Sequence, residues 1–192
     1  MSFFDRAYSV RSEVTYAAAR PRTRFSFAGT VFRGTRFPVA LLEAGETHFA
    51  VSTRERDGLP VRVTSLERTL VDVLDRPNLS GSWEEIWRSL AAVEFYDLDV
   101  VLAYAQLLDN ATTSAKVGYF LEQHAEALMV DEVHLTALRA MRPSHAHYLE
   151  RGQRGGGRLI PEWNLIVPEE ILGQTWDAVG ETRAGTRRHA SA

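Results

Sequence analysis

Val61-Arg-Val-Thr-Ser-Leu-Glu-Arg-Thr-Leu-Val-Asp72 changes period halfway along, and that change decides the fold. Val61 and Val63 alternate with Arg62 as in a half-buried strand, whereas Leu66, Leu70, Val73 and Leu74 recur at the spacing of one helix face. Thr64 and Glu67 stand at capping-box spacing, the hydroxyl accepting from the amide of residue 67 and the carboxylate reaching back to the amide of residue 64. Pro77 and Asn78 close the helix. A strand therefore runs directly into an amphipathic helix here, so sheet and helix meet at this point of the chain.

Working outward toward the N-terminus, Phe25–Phe27, Thr30–Phe32, Phe37–Leu42, His48–Ser52 and Leu59–Val63 read as short strands separated by turn residues. Asp57-Gly58 is the hairpin turn, both residues tolerating positive φ. Ser9–Ala19 reads as a short helix with Val10, Val14, Ala17 and Ala18 on one side, stopped by Arg20-Pro21. Toward the C-terminus, Ser82 and Glu85 form a second capping box ahead of Trp83, Ile86, Trp87 and Leu90. Asp97 caps a third helix carrying Leu98, Val101, Leu102, Ala105 and Leu108. A fourth runs from Thr113 to Leu128 and a fifth from Asp131 to Met141. Beyond Pro143, strands at 146–150 and 163–167 read as a hairpin across a glycine-rich loop, and the tail 178–192 is expected to be disordered.

The expected fold class is α+β: short N-terminal antiparallel strands, a central cluster of about five helices, and a C-terminal β-hairpin with a disordered tail. The expected divisions are an N-terminal helical remnant at 1–22, one domain at 23–177, and the tail at 178–192.

The 192 residues include no cysteine, which removes disulfides, thiolate metal ligands and cysteine nucleophiles together. No stretch approaches the roughly 20 apolar residues of a membrane span, and the start lacks the order of a signal peptide, so the expected location is the cytoplasm. With a net charge of −3, any nucleic-acid contact must come from a local patch.

Several polar residues stand out. Arg68 and Asp72 sit at i, i+4, with Asp75 beside them and away from the leucine stripe, so the wheel gives them one surface. Lys116 is the single lysine in the chain and falls near Tyr119 and Gln123, on the side opposite Val117, Leu121 and His124. That placement predicts an exposed lysine and a core histidine. His145 and His147 lack a third ligand of suitable spacing. Arg151, Arg154 and Arg158 give the glycine-rich loop phosphate-contact character, but Arg158-Leu159 occupies the Lys-Ser/Thr position of a phosphate-binding loop and a β run follows. No hydrolase, kinase or zincin motif is present.

Four motifs occur in an order that resembles the C-terminal domain of AbiEi-family antitoxins: Val63-Thr-Ser with Glu67-Arg-Thr-Leu and Asp72, the loop 76–81 into Trp83-Glu-Glu-Ile-Trp, Lys116-Val-Gly-Tyr-Phe-Leu-Glu122, and Trp163-Asn-Leu-Ile-Val167. The resemblance covers about residues 25–175. Full-length members precede this domain with a winged helix-turn-helix, for which residues 1–22 offer room for one short helix, so a short form with weak or absent DNA binding is expected.

The resemblance implies an antitoxin of a bacterial toxin–antitoxin system acting on a cognate nucleotidyltransferase-type toxin, with Arg68, Asp72, Asp75, Lys116 and Tyr119 as partner-binding candidates. Two alternatives accompany it. An atypical Ser/Thr protein kinase that inactivates the toxin would draw on ATP and magnesium, with Lys116 for phosphate and Asp72, Asp75 or Glu67 for metal. A DNA-binding autorepressor is the other. No cofactor is expected outside the kinase reading.

Overall fold

The computed structural model describes residues 13–172 apart from 22–23, 28, 57, 151–155 and 170. Within them the chain is α+β, with three small sheets and a cluster of helices. Strands β1 (Glu13–Ala18), β2 (Arg24–Phe27) and β3 (Thr30–Arg36) form the first sheet in the order β1-β3-β2. Helix α1 (Val39–Ala44) leads to the two-stranded ribbon β4 (Val51–Arg56) and β5 (Leu59–Thr64). Helices α2 (Leu66–Asp75), α3 (Trp83–Ala91), α4 (Leu98–Leu108), α5 (Ala111–Gln123) and α6 (Glu132–Ala140) follow. Strands β6 (His147–Tyr148), β7 (Arg158–Ile160) and β8 (Leu165–Val167) close the described chain in the order β6-β8-β7.

The N-terminal region departs from expectation in four ways, one being that the strand expected at 48–52 begins only at Val51, after a turn at 47–50. Residues 13–18 are strand, not helix, and β1 runs parallel to β3, whereas β2 is antiparallel to it. Val14, Tyr16 and Ala18 recur at a period of two, which places them on one face beside Phe32 and Phe25 in the observed register. Phe37–Leu42 is no strand either: Pro38 precedes the first turn of α1, Leu41 is buried, and Gly45 ends the helix at φ 72°. Further along, Arg56 faces Leu59, so a two-residue connection joins β4 and β5, with Gly58 at φ 74°. Asp57, residues 1–12 and the tail 178–192 lie outside the described residues.

Helices α3 and α4 follow their local signals, whereas the helix expected at 113–128 begins at Ala111 and ends at Gln123. Ser82 and Glu85 form the capping box, and Asp97 accepts from the amides of Asp99 and Val100. At α2 the cap is Ser65, which accepts from the amide of Arg68, because Thr64 is held in β5 opposite Val51. Glu67 instead accepts from the amide of Asp97 and ties α2 to the start of α4. Leu70 and Leu74 of α2, Ile86 and Trp87 of α3, and Val101 and Tyr104 of α4 pack in one core with Leu138 of α6. Helix α5 lies at its centre, every residue from Thr113 to Leu121 being buried.

The C-terminal hairpin is formed by β7 and β8, while β6 joins β8 in parallel. The expected partner, 146–150, is displaced because Pro161 and Asn164 (φ 49°) make the tight turn next to β8.

Candidate functional site

Helix α2 directs a row of polar side chains at its neighbours. Arg68 is 1% exposed, and its Nη1 donates to the carbonyls of Thr47 (3.0 Å) and Phe49 (2.7 Å). Its Nε lies 3.4 Å from Asp72 Oδ2, and the guanidinium stands 5.2 Å from the centre of the Tyr104 ring. Tyr104, stacked on Phe49, donates to Asp72 Oδ1 at 2.7 Å. Burial first, and then the adjacent Asp72 carboxylate, push the Tyr104 phenol well above its ordinary pKa. The phenol therefore stays a proton donor to Asp72. Arg76 completes the row, lying 3.6 Å from Asp72 and donating to the carbonyl of Arg36 at 3.0 Å.

Asp75, one turn on, meets the start of α5. Asp109 adopts the left-handed conformation at φ 46° and turns the chain tightly from α4 into α5, bringing Asn110 to the N-cap. Asn110 Oδ1 accepts from the amides of Thr112 and Thr113, while its Nδ2 donates to Asp75 Oδ1 at 3.3 Å. Thr113 Oγ1 donates to the same oxygen at 2.7 Å. Lys116, a turn further along α5, is 4% exposed; its Nζ donates to the carbonyl of Leu74 at 3.2 Å and lies 5.7 Å from the Trp83 ring. Above these groups opens a polar cleft of about 350 Å³, lined by Asp75, Asn110, Thr112, Thr113 and Lys116 from the helical side and by His147, Tyr148 and Glu150 from the β6 side.

The far end of α5 is built around Trp163. A Cβ at Gly118 would lie 2.1 Å from Trp163 Cζ3, so the bare glycine backbone forms the seat of the indole. Trp163 Nε1 donates to Glu122 Oε2 at 2.7 Å, Arg139 pairs with Glu122 Oε1 at 2.7 Å, and the Arg139 guanidinium lies 5.2 Å from the indole centre. Tyr119 is 4% exposed and packs against Trp87; its phenol is raised mainly by burial and then by Glu122.

Of the residues singled out from sequence, Asp75 and Lys116 share the cleft. Asp72 is held by Arg68, Tyr104 and Arg76 outside its lining, and Glu67 is engaged at Asp97. The surface drawn from the helical wheel is corrected: Arg68, Lys116 and Tyr119 face inward, because α5 is enclosed on every side and Arg68 is needed by the 47–49 turn. His124, expected in the core, is half-buried at the C-terminal end of α5, its Nδ1 2.8 Å from the Phe120 carbonyl and its ring 4.4 Å from that of Phe120. Arg151 and Arg154 lie outside the described residues, whereas Arg158 opens β7 and is exposed.

Sequence reasoning missed Tyr104, Asn110 and Arg76. Asn110 had a readable signal, an Asx residue just before a helical run; Tyr104 had none, since its partner is 32 residues away. Among the described residues no group of three His, Asp or Glu side chains is placed to hold a metal ion. Nor is any described helix long and apolar enough to cross a membrane. The chain matches no protein-family model, no curated protein and no solved structure.

Proposed function

We propose that the protein is the antitoxin of a bacterial toxin–antitoxin pair and neutralises a nucleotidyltransferase-type toxin encoded beside it. One observation carries the reading. The segments that bear the family resemblance, 63–72, 116–122 and 163–167, are distant in sequence yet gather around α5: Lys116 reaches the last turn of α2 at Leu74, Gly118 seats Trp163, and Glu122 accepts from its indole. The accessible part of this assembly is the cleft over Asp75, where His147, Tyr148 and Glu150 are exposed to a partner. The test is to induce the neighbouring reading frame alone and together with this chain. Growth arrest relieved by the chain supports the reading; arrest that persists despite soluble expression of the chain removes it.

A second reading is favoured by Asp75 and Lys116 sharing one cleft: phosphorylation of the toxin with ATP and magnesium. A toxin hydroxyl would take the γ-phosphoryl group and lose its proton, ADP departing. Lys116 would meet phosphate, and Asp75 with Glu150 would face the metal. Asp72 and Glu67, also candidates for that role, lie outside the lining of the cleft. Incubation with toxin, ATP and magnesium, followed by mass spectrometry, separates the mechanisms. A toxin gain of ~80 Da lost on Lys116→Ala supports transfer, and neutralisation without mass change supports binding. Binding to operator DNA has no comparable observation behind it.

A further inference from the structure

The first sheet has two unlike faces. In the observed register, β1 contributes Val14, Tyr16 and Ala18 to one face, β3 contributes Phe32, Gly34 and Arg36, and β2 contributes Phe25 and Phe27. The other face carries Glu13, Arg24 and Arg33, joined by ion pairs. Among the described residues the aromatic face is largely open. Phe27 is 69% and Phe25 38% exposed, and among the described residues no other element packs extensively on it. Its rings form a continuous group, Phe25 stacked on Phe32 at 5.0 Å and Tyr16 edge-on to Phe25 at 5.8 Å.

Charge identifies the occupant. Residues 13–36 carry five arginines against one acid, Glu13, in a chain whose net charge is −3. The described residues of the aromatic face hold no carboxylate, and Arg36 stands on it. An apolar protein partner is served by the rings alone and gains nothing from the arginine beside them or from the net positive charge of the segment. A polyanion that also carries flat apolar rings uses both. We infer that this face binds single-stranded RNA, its bases stacking on Phe27 and the Phe25–Phe32 pair while Arg36 meets a phosphate. A duplex hides its base faces and cannot use the platform, and RNA presents unpaired bases as a standing feature of its loops and ends. The sheet has room for about two or three nucleotides, as in other sheet platforms. The inference does not depend on the toxin reading.

The test is fluorescence anisotropy on the full chain with a labelled oligouridylate of about ten nucleotides, repeated at about 50 mM and about 200 mM salt. Matched single-stranded DNA and duplex RNA serve as comparisons. Expected is salt-sensitive binding to the RNA strand, weakened about 5-fold or more by Phe27→Ala. The exposed Phe27 is not a folding residue, which circular dichroism checks. Arg36→Gln should lower the salt slope by about one phosphate contact while leaving the backbone carbonyl that Arg76 uses. Absence of RNA binding at low salt overturns the inference, as does binding indifferent to Phe27→Ala. Equal or tighter binding to the DNA strand or the duplex overturns the assignment to RNA. Dimerisation abolished by Phe27→Ala, without RNA binding, gives the face to a second copy of the chain and overturns it as well.

Discussion

Replacing Gly118 by alanine should destabilise the fold even though the residue is in mid-helix, where alanine is ordinarily the better residue by about 1 kcal/mol. The added Cβ would lie 2.1, 2.2 and 2.8 Å from Trp163 Cζ3, Cη2 and Cε3, all well inside contact distance. Ordinary contact begins near 3.5 Å, so the indole or the helix must move by about 1.5 Å. The indole has nowhere to go: Trp163 is fully buried, its Nε1 is bonded to Glu122 at 2.7 Å, and Arg139 lies against the ring. Overpacking costs about 1–3 kcal/mol, and loss of a hydrogen bond to a charged group adds about 1.5–3 kcal/mol. After subtracting the helix gain, Gly118→Ala should cost about 1.5–5 kcal/mol. Urea unfolding followed by circular dichroism at pH 7 reads this as a lower midpoint with an unchanged slope. In a Trp163→Leu background the same substitution should cost at least about 1 kcal/mol less, since the atoms it strikes are gone. A Gly118→Ala protein as stable as the parent, or a penalty equal in both backgrounds, would refute the seating of Trp163 on the glycine.

Three further outcomes are expected. Arg68→Leu leaves Asp72 with one cation fewer and two carbonyls without their donor, and should lower stability by about 3–5 kcal/mol in urea titration. Arg54→Leu, on exposed β4, should stay within about 0.5 kcal/mol of the parent, and equal losses in the two variants would contradict the buried role of Arg68. The Tyr104 phenol titrates above its ordinary value of 10.0 in the folded state, so below that pH both states keep the proton and its contribution is complete. Above it only the unfolded chain releases the proton, and stability falls by up to about 1.4 kcal/mol per pH unit. Tyr104→Phe should flatten that decline, which unfolding curves across this range will show; an unaltered slope argues against the raised Tyr104 phenol, to which burial contributes most and Asp72 next. Asn110→Ala removes the cap of α5 and one donor to Asp75, and should cost about 1–2 kcal/mol by the same titration. An unchanged midpoint would mean that the cap contributes nothing.

Local signals carried most of the helical half. Ser82 with Glu85 and Asp97 announced their helices because a cap acts through its own next few amides. Thr64 misled by one position because β5 extends through it, and what holds β5 there is pairing with Val51 across the ribbon. The candidate site was legible in part: Asp75 and Lys116 were identified as residues of interest, but from the wheel as surface groups. Their convergence on Asn110 and Thr113 depends on how α2 and α5 pack, which no wheel contains.

By itself the sequence determined where α3 and α4 begin and that strands precede the helices. These are short-range matters of hydrogen-bond capping, periodicity and allowed φ. Only the tertiary structure decided that residues 13–18 form a strand parallel to β3, that Arg68 and Lys116 turn their charges inward, and that Gly118 is an indole seat. The reason is that burial and pairing are made by partners far along the chain. Parallel strands meet only across a connection, and a cation is buried only where distant carbonyls are positioned to receive it.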